Sequence, residues 1–386
     1  MIQRAAHNTL LDLAKQFKAV AIVGPRQSGK TTLAKYTFPG KPYASLENPD
    51  LRRYALEDPR GFLSQFPQGA VLDEVQRAPE LFSYLQQILD ENKETGQYIL
   101  TGSNNFLLQE NISQSLAGRI AYLVLLPFAL SELMGKQELN LSGVLYNGLY
   151  PPVYDQPVTP EKWYPNYLRT YVERDVRQVK NITDLVTFEK FLRLCAGRTG
   201  QLLNMSSLAI ETGVDSKTIA AWISVLESSF ILYRLTPHHR NFNKRVVKMP
   251  KLYFYDTGLV CSLLGINDPD KMHLHPQAGS IFENYVITEM MKTRLNKAKD
   301  HGLFFWRDSK GHEIDVVIER SSGIYPVEIK YGKTVIKEFF RNIKYFLDIS
   351  GQEKAAVIYG GDTHQKRSAG IEILPWNRIG EMQALI

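Results

Sequence analysis

The sequence predicts an α/β protein in three parts, and three changes of pattern along the chain predict it. Through residues 1–140, short apolar runs alternate with longer helical patterns, as in a parallel sheet covered on both faces. Past Pro127 the period lengthens, and 163–240 reads as nearly continuous helix broken at Gly197, Gly200 and Gly213. From about residue 279 a long helix is followed by a meander of strand-like runs. These changes place a parallel-sheet domain over 1–140, a helical connector over 141–255 and a second α/β domain over 256–386.

In the first part, strands are expected at 19–23, 68–72, 97–101 and 122–126, with helices at 30–37 and 81–92. In the last part a helix is expected at 281–294, with strands at 302–307, 313–319, 325–330 and 355–359. Internal repeats and low-complexity segments are absent.

Composition narrows the class. The chain has 386 residues, 44% hydrophobic and 22% charged, which is ordinary for a globular protein. Its two cysteines, Cys195 and Cys261, are far apart, so neither a disulfide framework nor a thiolate metal site is expected. The opening MIQRAAHNTLLDLAKQF lacks the apolar core and cleavage site of a signal peptide. The apolar stretch 121–130 is about half the roughly 20 residues a membrane helix needs. We expect a cytoplasmic protein with no membrane partner. The net charge of +6 permits nucleic acid without requiring it. Arg234, Arg240, Lys244, Arg245, Lys248 and Lys251 crowd together, as either a solvated positive face or a phosphate-contacting patch.

The sharpest chemistry lies after the first strand. Gly24-Pro25-Arg26-Gln27-Ser28-Gly29-Lys30-Thr31, followed by Thr32, matches G-x-x-x-x-G-K-[ST] and opens a helix, as a phosphate-binding loop must. Loop N–H groups and the helix N-terminus supply positive potential for phosphates. Lys30 should reach the β- and γ-phosphates of ATP, and the Thr31 hydroxyl should join the coordination of Mg²⁺. A second apolar run ends in Asp73-Glu74. There Asp73 would hold the Mg²⁺ shell, and Glu74 would orient the attacking water. A third run ends in Ser103, Asn104 and Asn105, at the carboxyl edge of the sheet. Ser103 or Asn104 would bond the γ-phosphate or the lytic water, unless this is a plain βα turn. Arg119, in SLAGR, is either a surface arginine or one that stabilises γ-phosphoryl charge, in cis or from a neighbouring subunit.

With GPRQSGKTTL, AVLDEVQ, ILTGSNN and SLAGR in order, the chain resembles the AAA+ ATPases. It looks like the prokaryotic group that pairs an AAA domain with a C-terminal domain of unknown function. YVERDV (171–176), LYFYDTGL (252–259) and FEN (282–284) extend that resemblance over nearly the whole chain. The resemblance implies Mg²⁺-dependent ATP hydrolysis, Ser103 or Asn104 at a sensor position, and Arg119 as a finger or sensor arginine. The chain departs from the pattern in one respect: a helical lid with a second sensor arginine does not stand out.

In the connector, residues 206–226 read as helix, tight turn at Gly213, and a second helix capped by Ser216, with 230–235 as a wing strand. This is similar to winged-helix domains that place the second helix in the major groove. That helix carries only Lys217 as a base, so a protein-interaction scaffold is an equal reading.

In the last part Glu283 lies on a helix, Asp315 in a strand, and Glu328 with Lys330 on one face of the next strand. Two acids on adjacent strands could hold Mg²⁺, and the lysine could activate a water for phosphodiester hydrolysis. The arrangement resembles the PD-(D/E)XK, restriction-endonuclease-like α/β fold, with Trp306, Arg307 and His312 bordering the cleft. An exposed cross-strand ion-pair surface is the plain alternative. The expectation is an ATPase with ATP and Mg²⁺ as cofactors, whose partners are DNA, a second copy of the chain or another protein. The runner-up is a nucleotide-gated switch with an inactive C-terminal domain.

Overall fold

The structure is a computed structural model that describes residues 2–103, 116–172, 184–239, 242, 246–368 and 370–385. It divides into two compact units, one of residues 1–128 with 228–230 and 295–299, the other of 129–227, 231–294 and 300–386. Asn104, most of YVERDV, and Arg240, Lys244 and Arg245 lie outside the described residues.

The first unit is a parallel sheet with helices in its crossovers. In order come α1 (His7–Gln16), β1 (Ala19–Val23), α2 (Lys30–Thr37), β2 (Tyr43–Ser45), α3 (Pro49–Glu57), α4 (Pro59–Ser64), β3 (Val71–Asp73), α5 (Leu81–Glu91), β4 (Tyr98–Gly102) and β5 (Ile120–Val124). The strand order is β2-β3-β4-β1-β5, all parallel, so β1 sits between two strands that follow it much later in the chain. Every residue of β1 and β4 is buried, which is why their sequences are continuous apolar runs. Leu10 and Ala14 of α1 and Leu33 and Ala34 of α2 pack with Val20, Ile22, Val71, Ile99 and Leu123 into one core. Strand-to-helix turns at the carboxyl ends of β1, β3 and β4 then fall along one edge, where α/β sheets bind ligands.

The second unit opens with short helices α6 (Leu130–Leu133), α7 (Leu141–Asn147), α8 (Pro152–Asp155) and α9 (Pro160–Tyr167), then α10 (Leu185–Ala196), α11 (Met205–Thr212) and α12 (Ser216–Ser228). Gly213 closes α11 in the left-handed region, φ 80°, as the tight turn requires. The cap of α12 is Asp215 rather than Ser216, because its carboxylate accepts from the N–H groups of Lys217 (2.8 Å) and Thr218 (2.9 Å). An antiparallel pair follows, β6 (Leu232–Leu235) with β7 (Lys251–Phe254).

After α13 (Thr257–Leu264) and α14 (Ala278–Leu295) comes a six-stranded mixed sheet of order β12-β13-β11-β10-β9-β8. Its strands are β8 (Leu303–Arg307), β9 (Glu313–Arg320), β10 (Gly323–Lys330), β11 (Ala355–Tyr359), β12 (Gln365–Lys366) and β13 (Ile371–Pro375), with α15 (Arg341–Ser350) crossing from β10 to the parallel β11. Ile343 and Phe346 of α15 bury against Trp306, Ile314, Val317 and Val357.

The boundary read near 255 runs through a packed contact. Asn284, fully buried on α14, accepts from the Phe254 N–H (2.7 Å) and donates to its carbonyl (2.8 Å). Connector and C-terminal sheet fall in the same compact unit, and the continuous run of the first unit is 1–128. Among the described residues, none of the helices is long and apolar enough to cross a membrane.

Candidate functional site

The phosphate-binding loop leaves β1 at Gly24, where φ is 148° and a Cβ would lie 2.2 Å from the Leu125 carbonyl oxygen. Only glycine fits there, because β5 runs directly alongside. The loop re-enters helix at Gly29, φ 89°, so α2 begins at Lys30 with its free N–H groups facing the loop. Lys30 is buried and curls back, its Nζ donating to the carbonyls of Gly24 (3.0 Å) and Pro25 (2.7 Å). Burial pulls its pKa down to about 8, while Glu74 and Asp73 pull it up. Ser28 Oγ is buried with no hydrogen-bond partner. A lysine folded onto carbonyls and an unpartnered hydroxyl inside the loop both suit an anion, so the residues present fit a triphosphate.

The carboxylates stand where parallel register brings them. Asp73 ends β3, and its Oδ1 accepts from the Thr31 hydroxyl at 2.7 Å and from Thr101 of β4. Its Oδ2 accepts from Tyr43 of β2 at 2.9 Å. Burial first, and the Asp73 carboxylate beside it, push the Tyr43 phenol up to about 12. Thr31 and Asp73 form the oxygen pair that would hold Mg²⁺. Glu74 follows in the left-handed region, φ 55°, a conformation that non-glycine residues adopt at some cost. Its Oε2 accepts from Gln76 (2.6 Å) and from Ser103 Oγ (3.1 Å), which leads out of β4. Lys30, Thr31, Asp73, Glu74 and Ser103 thus share the sheet's carboxyl edge.

Arg119 does not join them. It precedes β5, and its carbonyl accepts from Ala19 N–H at the opposite, amino edge (3.3 Å). Five strand residues of about 3.3 Å each separate the two edges. Its guanidinium instead pairs with Asp90 on α5 (Nη2 to Oδ2, 2.8 Å). Sequence reasoning missed Arg4. This buried residue donates to the Ser28 carbonyl in the loop and to the Leu126 carbonyl beyond β5 (2.7 Å), with its guanidinium 5.1 Å from the Phe128 ring centroid. A lone arginine ahead of a helix carries no pattern that would have found it.

In the second unit the structure brings Asp315, Glu328 and Lys330 together. Lys330 Nζ lies 2.7 Å from Glu328 Oε1 and 3.6 Å from Asp315 Oδ2. The Ile329 N–H also donates to Asp315 Oδ2 (2.7 Å). Glu283 lies within the same field, since Asp315 raises its pKa in addition to the larger effect of burial, with Lys251 opposing both. Burial, then Asp315, pushes Glu328 up to about 8, and its Oε2 has no hydrogen-bond partner. Lys251, expected only as part of the basic stretch, and Arg307, expected at the border of the cleft, complete the cluster. Lys251 of β7 pairs with Glu283 (3.0 Å) and Glu313 (2.5 Å), and Arg307 pairs with Glu313 (3.1 Å). Glu283, Glu313, Asp315 and Glu328 each have a cationic partner, and among the described residues no group of three or more acids, histidines or cysteines is arranged to hold a metal ion. Lysine and arginine side chains therefore balance these acids in this structure.

The basic stretch also looks different in three dimensions. Arg234 is held bidentately by Glu227 at 2.7 Å, and Lys251 is buried, whereas Lys248 is exposed. His312 stacks on Tyr345 and pairs with Asp308 (2.9 Å).

Comparison with known proteins divides the chain in three. Residues 16–134 match the family described as AAA domain, 139–270 a domain of unknown function (DUF8612), and 278–379 a second one (DUF4143). The uncharacterized protein Rv2008c of Mycobacterium tuberculosis is 29% identical over 93% of this chain and 80% of its own length. An uncharacterized protein of Haemophilus influenzae is 22% identical over 72% of this chain and 68% of its own. Among solved structures, the Walker-type ATPase PABY2304 of Pyrococcus abyssi aligns at TM-score 0.47 and 14% identity, over 68% of this chain and 96% of that one. With the loop, its lysine and the paired carboxylates at one sheet edge, residues 16–134 form a parallel-sheet P-loop domain similar to the AAA domain family.

Proposed function

We propose that the protein hydrolyses ATP with Mg²⁺ in the cytoplasm and uses the cycle to act on DNA. The observation that carries the ATPase reading is the 2.7 Å contact between Thr31 Oγ and Asp73 Oδ1, directly beside Lys30 and Glu74. When bound, Mg²⁺ would neutralise charge on the β- and γ-phosphate oxygens. Lys30 would exchange its carbonyl partners for those oxygens, and loop N–H groups would fix the triphosphate. Glu74, held by Ser103 and Gln76, would orient a water for in-line attack and accept its proton as the γ-phosphoryl departs.

The DNA reading is supported by the helix-turn-helix of α11 and α12 with the β6–β7 pair behind it, an arrangement like a winged helix, and by exposed Lys217 and Lys248. The order helix, three antiparallel strands, helix, parallel strand from α14 to β11 supports a restriction-endonuclease-like C-terminal domain. Its ion-paired acids favour a second reading, a nucleotide-gated switch that binds DNA or protein without cutting. A second copy of the chain is a candidate partner, since Arg119 could reach a phosphate only from a neighbouring subunit. The test is ATP turnover with and without DNA for the wild type and Glu74→Gln. DNA-stimulated turnover lost in Glu74→Gln supports the proposal, and turnover indifferent to DNA moves the target to protein. Metal-dependent nicking abolished by Asp315→Ala would separate cutting from the switch.

A further inference from the structure

We infer that Lys251 is the resident cation of the C-terminal carboxylate centre, standing where a divalent metal would otherwise balance Glu283, Glu313 and Asp315. The inference deepens the non-cutting reading and draws its biological sense from it, but its geometry is independent of ATP turnover.

Strand alternation on β7 sends Lys251 and Tyr253 to the same face, and both end on Glu283: Lys251 Nζ at 3.0 Å and Tyr253 Oη at 2.5 Å from Oε1. The same ammonium reaches Glu313 Oε1 at 2.5 Å, so it bridges helix α14 and strand β9. Its side chain is only 4% exposed. A lysine charge taken that far from water is strongly unfavourable unless carboxylates surround it. Glu283 and Glu313, at 3.0 and 2.5 Å, supply that balance, with Asp315 acting on the same ammonium from farther off.

Two features of the arrangement oppose a metal. Mg²⁺ needs carboxylate oxygens at about 2.0–2.1 Å in near-octahedral geometry. Here Glu283 Oε1 is shared by an ammonium and a phenol, Glu313 is held by Lys251 and Arg307, and Asp315 Oδ2 by Lys330 and a backbone N–H. Glu328 Oε2 is a buried acid oxygen without a partner, but the same carboxyl already holds the Lys330 ammonium at 2.7 Å through Oε1. Secondly, an ion entering between Glu283 and Glu313 would have to expel an ammonium that is part of β7 itself. β7 is anchored along its length, to β6, to Gln201 by the Leu252 N–H (3.0 Å), and to Asn284. Lys251 cannot leave as a solvent cation does. The centre is an ionic joint between the β6–β7 pair and the C-terminal sheet.

The test is a Mn²⁺ titration of the nucleotide-free full-length protein, following free Mn²⁺ by electron paramagnetic resonance and stability by thermal melting. We expect the wild type and Asp315→Asn to give the same curve. Lys251→Met keeps the aliphatic stem and removes the charge. It should gain one Mn²⁺, at least about tenfold tighter than any binding by wild type, and its melting temperature should rise with Mn²⁺. Adding Asp315→Asn should abolish that gain, and Lys251→Arg should show none. Mn²⁺ binding by wild type that Asp315→Asn removes would overturn the inference without touching ATP turnover or DNA binding. That arm needs no Lys251 variant, so a poorly folded Lys251→Met leaves the inference open to refutation. A folded Lys251→Met that binds no Mn²⁺ also overturns it.

Discussion

Thr31 and Asp73, 42 residues apart, meet at 2.7 Å because α2 starts where β1 ends and β3 lies one strand beyond β4. Neither side chain alone makes a metal site. Their pairing depends on Gly24, whose missing Cβ lets the loop pass Leu125. Thr31→Ala should retain most nucleotide affinity, since Lys30 and the loop N–H groups remain. Mg²⁺-dependent phosphate release should fall about 100-fold. Lys30→Ala should lose binding itself, and unchanged turnover in that variant would refute the ATPase assignment.

Glu74→Gln isolates a different step. Glutamine keeps the size, the left-handed backbone and a carbonyl oxygen for Ser103, but cannot take a proton from water. Binding of a fluorescent ATP analogue should match wild type, while turnover should drop about 10²–10⁴-fold. Weakened binding with turnover intact would instead make Glu74 a positioning group for Gln76.

Arg4 supports the loop from behind. Arg4→Ala would strand the carbonyls of Ser28 and Leu126 in a buried setting, at about 1–3 kcal/mol. The unfolding midpoint in urea should fall, and the Kd for ATP should rise by about tenfold as the loop loosens. Arg4→Lys should recover part of the stability. Equal ATP affinity in Arg4→Ala and wild type would reduce the residue to packing.

The Walker residues could be read from sequence because each chemical signal coincides with a local structural one. Lys30 and Thr31 follow a fully buried strand, and Asp73-Glu74 end another. The C-terminal strands were legible for the same reason, and β11 falls where its apolar run does. What escaped depends on long-range partners. Lys251 reads as a surface base in a basic stretch, yet its partner Glu283 lies 32 residues away on a helix whose approach no local pattern encodes. Arg119 follows a glycine like a mechanistic arginine, but strand direction carries it to the wrong edge of the sheet. Strand β2 has three residues, too few for period-two alternation to register.

Asn284 should be among the costliest residues to replace in the second unit. It is fully buried and satisfies both backbone groups of Phe254, in effect standing in for a neighbouring strand. Asn284→Leu leaves the Phe254 N–H unpaired, at about 1–3 kcal/mol, and its carbonyl with only the longer Thr288 hydroxyl contact at 3.4 Å. Asn284→Asp keeps one bond and brings a buried charge. Both should lower the thermal midpoint of the second unit, and a change of under about 0.5 kcal/mol would show that water replaces the amide.

His301 offers a stability readout in acid. Burial lowers its pKa below the ordinary 6.5, with Asp300 opposing and Arg294 reinforcing the shift. The neutral ring accepts the Leu303 N–H at Nδ1 (3.1 Å), just ahead of β8, and a proton there removes the acceptor. The folded value lies below the unfolded one, so this contribution is complete above about pH 6.5 and is lost as pH falls through the folded value. His301→Gln keeps an acceptor that does not titrate. Between about pH 7 and 5 its urea midpoint should therefore fall less than that of wild type. Parallel pH curves for the two proteins would mean that the imidazole is equally easy to protonate in the folded and unfolded chains, and that the Leu303 bond does not depend on its charge.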